Sequence, residues 1–233
     1  MARRLILPLL FGVLGTAILV ALGTWQLQRM GWKEDVIARI EARLAADPVP
    51  VPEGANPEEH QYLRVRESGE VAAGELHVYT SHPPHGVGYR VIAPLVLADG
   101  RRLLLDRGFV PIGEKDEPRP LGPVTVEGVL HWPQEVDRFT SDPDPDENIW
   151  FARDPEAMAR ALDAEPVLLV VASSSIGDGP MPVPVTVNIP NRHLEYVVTW
   201  YGLALVWAGM TVYWLWRIVR RREDGPHAAE ESR

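Results

Sequence analysis

The chain has 233 residues, no cysteine and a formal net charge of −9, with 23 Lys and Arg against 32 Asp and Glu. The missing cysteines exclude disulfides, thiolate metal sites and cysteine nucleophiles. The acidic excess is concentrated between residues 26 and 195, where 28 acidic residues face 16 basic ones, and it excludes the phosphate-neutralising surface of a nucleic-acid binder.

Leu5 to Trp25 contains no Asp, Glu, Lys or Arg and is long enough to cross a bilayer as a helix, which takes about 20 residues. Arg3 and Arg4 before it, and small residues around Ala21-Leu22-Gly23, also suit a secretion signal. The apolar run exceeds the ~7–15 residues of a signal core, so an uncleaved anchor is expected, and residues 1–25 are read as a cytoplasmic N-terminus plus a first transmembrane helix. Beyond it, Val36, Ile37, Ile40 and Leu44 recur at helical spacing among charges of both signs. This predicts an amphipathic helical stalk over 26–47, ended by Asp47-Pro48 because a residue before proline avoids the helical region. Pro48 to Glu59, with four prolines and a glycine, reads as a loop.

Tyr62 to Arg66, Val91 to Leu97, Arg102 to Val110, Val124 to Leu130 and Val167 to Val171 are apolar or β-branched runs punctuated by Gly and Pro, and predict strands. Asp99-Gly100 is a hairpin turn signal. Asp154 to Leu162 predicts one short helix, with Asp154 as cap and Pro155 in its first turn. Residues 48–190 thus read as a β-rich α+β domain, barrel-like or sandwich-like. The run Asp142-Pro143-Asp144-Pro145-Asp146 is a solvated acidic loop, with weak calcium binding as its alternative.

Tyr196 to Trp216 is the second segment free of Asp, Glu, Lys and Arg. Its Trp and Tyr residues suit a bilayer interface or packing against a partner, and Asn191 is a plausible N-cap, so 191–216 is read as a second transmembrane helix. The tail 217–233 is basic, then acidic, with Arg217, Arg220, Arg221 and Arg222 at its start. Two crossings return the chain to its starting side, and arginines outside both spans place the termini in the cytoplasm. The expectation is a multi-pass protein of a bacterial inner membrane, main domain periplasmic, or of the mitochondrial inner membrane.

The histidines are the candidate ligands. His77, His82 and His85 lie near one another in what reads as a Pro-rich loop, and could bind copper or zinc or simply be solvated. His60 and His131 have no partner that sequence can identify. His193 stands in the first turn of the second membrane helix with Arg192 and Glu195, on one face with Tyr196, Val197 and Trp200. It could hold haem iron, with Arg192 or Arg29 meeting the propionates, or it could be an interfacial residue that sets helix depth. No enzyme constellation appears: Ser173-Ser174-Ser175 lacks a glycine elbow and no Gly-rich phosphate loop precedes a helix.

Three separated blocks together carry a family resemblance. Leu22-Gly23-Thr24-Trp25-Gln26-Leu27-Gln28-Arg29 continues to Trp32-Lys33. Gly88-Tyr89-Arg90-Val91-Ile92-Ala93-Pro94-Leu95 leads to Leu105-Asp106-Arg107-Gly108-Phe109-Val110-Pro111. Asn191-Arg192-His193-Leu194-Glu195-Tyr196 leads to Thr199-Trp200-Tyr201-Gly202-Leu203-Ala204. In these blocks, whose order covers nearly the whole chain, the sequence resembles the Surfeit locus protein 1 family of cytochrome c oxidase assembly factors. The resemblance implies a non-catalytic membrane protein assisting haem a delivery to cytochrome c oxidase subunit I, with haem a synthase as a further partner. Carried over position by position, it implies a cofactor-binding set of Trp25, Gln26 and Arg29 at one helix end and Arg192, His193, Tyr196 and Trp200 at the other, His193 being the iron ligand. Phe109 stands where the family often has tryptophan, and Asp106 where it often has asparagine. The alternative is a structural scaffold that holds an oxidase intermediate without binding haem. A remoter one is a copper carrier using His77, His82 and His85.

Overall fold

The structure is a computed structural model describing residues 3–186 and 192–223, with residues 3, 4 and 221–223 described by their backbone alone. The chain forms two compact units. One comprises Met1–Ala38 with Asn188–Arg233, the other Arg39–Val187. Asn191, the expected N-cap, lies outside the described residues.

The first unit is built on helices α1 (Arg3–Ala45), whose last residues belong to the other unit, and α4 (His193–Glu223). Both are long and apolar enough to cross a membrane, and their side chains are largely exposed, as suits an apolar surround. At ~1.5 Å per residue the 43 residues of α1 extend about 65 Å, roughly twice a bilayer's hydrocarbon thickness. The two helices run antiparallel along a narrow seam. On α4 it follows His193, Val197, Trp200, Ala204, Trp207 and Thr211, alternating four and three residues apart, the period of about 3.5 at which two helices keep one face together. On α1 the seam is lined by small residues: a Cβ at Gly12 would overlap the Thr211 side chain, and one at Gly15 the Trp207 indole. Tryptophan on one helix therefore fits because glycine faces it on the other.

The second unit is sheet-rich. Its strands are β1 (Arg64–Val71), β2 (Leu76–Ser81), β3 (Val87–Leu97), β4 (Arg102–Pro111), β5 (Gly122–His131), β6 (Ile149–Trp150) and β7 (Leu168–Ser174). The order is β1-β5-β7-β4-β3-β2-β6, and a further pairing of β1 with β3 returns the ladder to its first strand. That pairing sets Gly69 opposite Leu97, where a Cβ would stand 2.5 Å from the Val96 carbonyl oxygen; glycine allows the two backbones to meet.

Burial explains the strand patterns. On one face of the sheet, alternate residues of each strand interleave in a single core: Val65 and Val71 of β1, Ala93, Leu95 and Leu97 of β3, Leu103 and Leu105 of β4, Val124, Val126 and Leu130 of β5, Leu169 and Val171 of β7. On the outer side, helix α3 (Pro155–Leu162) lays Met158, Ala159 and Leu162 over Ile92, Leu104, Leu168 and Val170. Strands β3, β4 and β7 are thus covered on both faces and read as unbroken apolar runs over residues 91–97, 103–105 and 168–171, whereas β1 has Arg66 and Glu70 on its outer face and alternates. Asp154 caps α3 by accepting from the Ala157 N–H at 3.1 Å.

Four features depart from the sequence expectation. β2 and β6 occupy stretches without a clear strand pattern, and helix α2 (Pro57–His60), capped by Asn56, lies in the expected loop. β1 also runs on past Arg66 to Val71, because pairing with β5 holds the polar stretch Glu67-Ser68-Gly69-Glu70 extended. Consequently His77 is a strand residue, 4% exposed, rather than a loop residue.

Candidate functional site

The side chains of the helical unit that carry chemistry gather where the outgoing end of the α1 apolar segment meets the start of α4. The Nδ1–H of His193 donates to the Gln26 side-chain oxygen at 2.8 Å. With its proton facing that oxygen, the ring presents its lone pair at Nε2, which has no hydrogen-bond partner among the described residues. About one turn further into the seam, Thr24 donates to the Val20 carbonyl at 2.9 Å and its hydroxyl lies 3.0 Å from that of Tyr201, which therefore donates to it. The Gly23 Cα faces the Tyr201 ring.

The other residues of the expected set are distributed around this pair. Trp200 lies on the seam, its indole Nε1 buried and without a hydrogen-bond partner among the described residues. Trp25 and Tyr196 are 55% and 54% exposed: the seam runs through 193, 197 and 200, which leaves position 196 on its flank. Arg192 is exposed immediately ahead of α4. Arg29 lies over the Trp32 ring, 4.2 Å from its centroid. The partner of His193 is thus the Gln26 amide, while the Arg29 guanidinium is stacked on Trp32. Tyr201, Thr24 and Trp32 belong to this region and stand outside the expected cofactor-binding set; all three lie in the family blocks, but nothing in the spacing of Thr24 and Tyr201 announces a pair 177 residues apart.

Elsewhere the histidines have separate settings. His77 shares a hydrogen bond with Glu75 at 3.0 Å and packs against Tyr89, while His82 and His85 stack on each other beside Phe109. Among the described residues no group of three or more His, Cys, Asp or Glu is placed to hold a metal ion. A three-histidine copper site therefore has no support in the geometry. His60 Nδ1 accepts from the Asn56 N–H, and His131 Nδ1 lies 3.1 Å from the Gln61 amide nitrogen. Asp146 and Glu147 donate backbone N–H groups to Asp144, a turn within the exposed acidic loop.

The middle block is interior. Asp106 is fully buried between Arg90 at 2.7 Å and Arg153 at 3.3 Å, and Arg153 also pairs with Glu135. Burial pushes the Glu135 carboxyl up, but hydrogen bonds and charge from Arg153 outweigh it and leave the group below its ordinary value. Phe109 is 2% exposed. These residues build the sheet-rich unit and present little to a partner.

Comparison with known proteins follows the same division. The model of the SURF1 family matches residues 13–205, which include both helix ends of the His193 site and the whole sheet. Surfeit locus protein 1 of Homo sapiens is 33% identical over 227 residues, covering 85% of this chain and 73% of that protein. The protein of the same name from Xenopus tropicalis is 32% identical over 230 residues, covering 86% and 72%, and that from Takifugu rubripes 30% over 235 residues, covering 91% and 97%. A match that spans both units and both helix ends is a match to the whole architecture, and the chain belongs to the SURF1 family.

Proposed function

We propose that this chain is a non-catalytic, membrane-anchored assembly factor for cytochrome c oxidase, and that its paired helix ends hold haem a briefly on its way to subunit I. α1 and α4 are the two membrane spans, with both termini cytoplasmic and the sheet-rich unit on the outer side, periplasmic in a bacterium. The ladder that returns from β3 to β1 supports reading the core of that unit as a small closed barrel.

The observation that carries this reading is the bond between His193 and Gln26. It holds the imidazole in the tautomer that leaves Nε2 available, as an oriented metal ligand requires. A porphyrin brings its own nitrogen donors, so one protein ligand suffices where copper or zinc would need several. Arg192, exposed beside His193, is a cation suited to a propionate, as is Arg29 once it leaves Trp32. A single neutral ligand also suits cargo that has to leave again. Haem a synthase is the natural donor in this scheme.

The test is the optical spectrum of the purified full chain with haem a. His193→Ala is expected to abolish the spectral signature of histidine ligation, and identical spectra would remove the ligand role.

A scaffold that never touches haem is favoured by a different observation: Phe139 is 77% and Val136 55% exposed on the sheet-rich unit, with Arg138 over the Phe139 ring. On that reading Phe139→Ser blocks oxidase assembly while His193→Ala leaves it intact.

A further inference from the structure

One buried cation remains unexplained by the helix site. β4 and β3 fall out of register between Val91, which faces Gly108, and Ile92, which faces Asp106, so Arg107 is the extra residue of a β-bulge. The bulge sends Asp106 to the outer side with Arg90 and Arg153, and turns Arg107 towards the end of the barrel interior. There Arg107 is 6% exposed. Its Nη2 donates to the Pro120 carbonyl at 2.8 Å, while Nη1 is buried with no hydrogen-bond partner among the described residues, and no carboxylate lies within ion-pair distance.

The surrounding charges do not neutralise it. Burial pushes the Arg107 guanidinium below its ordinary value; Glu75 draws it back, and Arg119 opposes Glu75. Glu75 is itself engaged by Arg119 and His77, so it acts on Arg107 only as a longer-range attraction. A buried cation left this way attracts an anion strongly, because little water screens it.

Beside Arg107 is a cavity of about 220 Å³ with apolar walls from Val71, Leu105 and Val171. That is roughly seven waters at ~30 Å³ each. Ser174 also lines it; its Oγ accepts from the Ile176 N–H and keeps its own proton to give. Asp178 stands at the exposed rim, where it discourages dianions. We propose that this cavity is a binding site for a small organic monocarboxylate, its charged end on Arg107 and its short apolar body along the barrel wall. Nη1 has no bond to lose when the guanidinium turns towards the ligand, and a guanidinium with a neighbouring hydroxyl matches two carboxylate oxygens. One cation among aliphatic walls is too few donors for a phosphate. The site lies within the sheet-rich unit and is independent of the haem reading.

Calorimetric titration of the full chain in lipid nanodiscs with butyrate, butyramide and inorganic phosphate tests this. Butyrate is expected to bind at least about tenfold more tightly than the other two, the ratio a charge-assisted bond gives. Gly179→Leu brings a side chain up to the guanidinium, since a Cβ there stands 3.7 Å from Arg107 Nη2 with no nearer neighbour. It should weaken butyrate binding at least about tenfold, as should Arg107→Met. If Arg107→Met does not fold, the acid-to-amide ratio and Gly179→Leu decide. No heat with butyrate, equal affinity for acid and amide, phosphate binding as tight as butyrate, or an unaffected Gly179→Leu protein each overturns the proposal.

Discussion

An amide oxygen 2.8 Å from Nδ1 decides what His193 can offer. Without it the ring is free to place its proton on either nitrogen and to turn about its side chain. Gln26→Leu is therefore expected to lower haem a affinity in the proposed site by about 10–100-fold, the usual effect of losing an orienting partner, while Gln26→Glu, which keeps an acceptor, retains most of it; a spectral titration distinguishes the two. His131 is a second residue whose protonation is set by its surroundings. Burial, with Arg153 and Arg90 nearby and Glu135 opposing, lowers its pKa to about 4. An unfolded chain binds that proton near 6.5. The sheet-rich unit therefore holds its full His131 contribution above about pH 6.5 and loses it as pH falls towards about 4. Denaturant unfolding measured across that window should show stability rising with pH, with part of the slope absent in His131→Gln. Asp106 is the third case: two arginines converge on it in the interior. Removing it in Asp106→Ala leaves Arg90 and part of Arg153 uncompensated and should cost about 3–5 kcal/mol, whereas Asp106→Asn, which keeps hydrogen-bonding oxygen in place, should cost less.

Among the elements, α3 and the helix seam show opposite ways of filling space. α3 adds bulk: Met158 is fully buried against β4 and β7, and Met158→Ala should destabilise the unit by about 2–5 kcal/mol in chemical unfolding. The seam removes bulk, with Gly12 and Gly15 against Thr211 and Trp207, so Gly15→Leu should separate the helices; in this cysteine-free chain a Thr24→Cys, Tyr201→Cys pair joined by a short bifunctional maleimide should crosslink when Gly15 is present and fail to crosslink in Gly15→Leu. How far each element could be read in advance depends on where its partners lie. The apolar helices and strands β3, β4, β5 and β7 show in composition and periodicity because burial on one or both faces writes itself into neighbouring positions. α3 is equally plain, since its cap and its first-turn proline are adjacent in sequence. β6 has two residues and exists because β2 pairs with it; β2 is polar at its outer end, in Thr80 and Ser81. The partners that create these strands are distant along the chain, so no local pattern reveals them. The bulge at Arg107 and the Gln26–His193 bond are illegible for the same reason: each depends on a register between segments. The family resemblance put Gln26 and His193 in one set, but could not say that an amide rather than a guanidinium meets the ring.

For the whole molecule the decisive property is the side of the membrane on which the sheet-rich unit stands. α1 is about twice as long as the apolar layer is thick, so a span over its apolar first half carries its second half well clear of the lipid. Trp25, Arg29 and Trp32 then fall at the headgroup level, the outer one in the proposed topology, where aromatic rings and arginine share an interface. In the proposed topology Arg217 and Arg220, at the far end of α4, mark the opposite, cytoplasmic level. The two helices carry these markers in opposite chain order, as antiparallel spans require, and the proposed topology puts the acidic excess of 26–195 on the outer side. The chain contains no cysteine, so single cysteines report topology without background. Phe139→Cys, at a position 77% exposed on the sheet-rich unit, should react with a membrane-impermeant maleimide in intact bacterial cells; Arg220→Cys should react only after lysis. The reverse pattern would put the sheet-rich unit in the cytoplasm and the His193–Gln26 pair at the inner leaflet, and an outer-face handover to the oxidase would be untenable. Labelling of both positions in intact cells would mean that α4 does not cross, and the helix seam would then need a soluble partner to cover it.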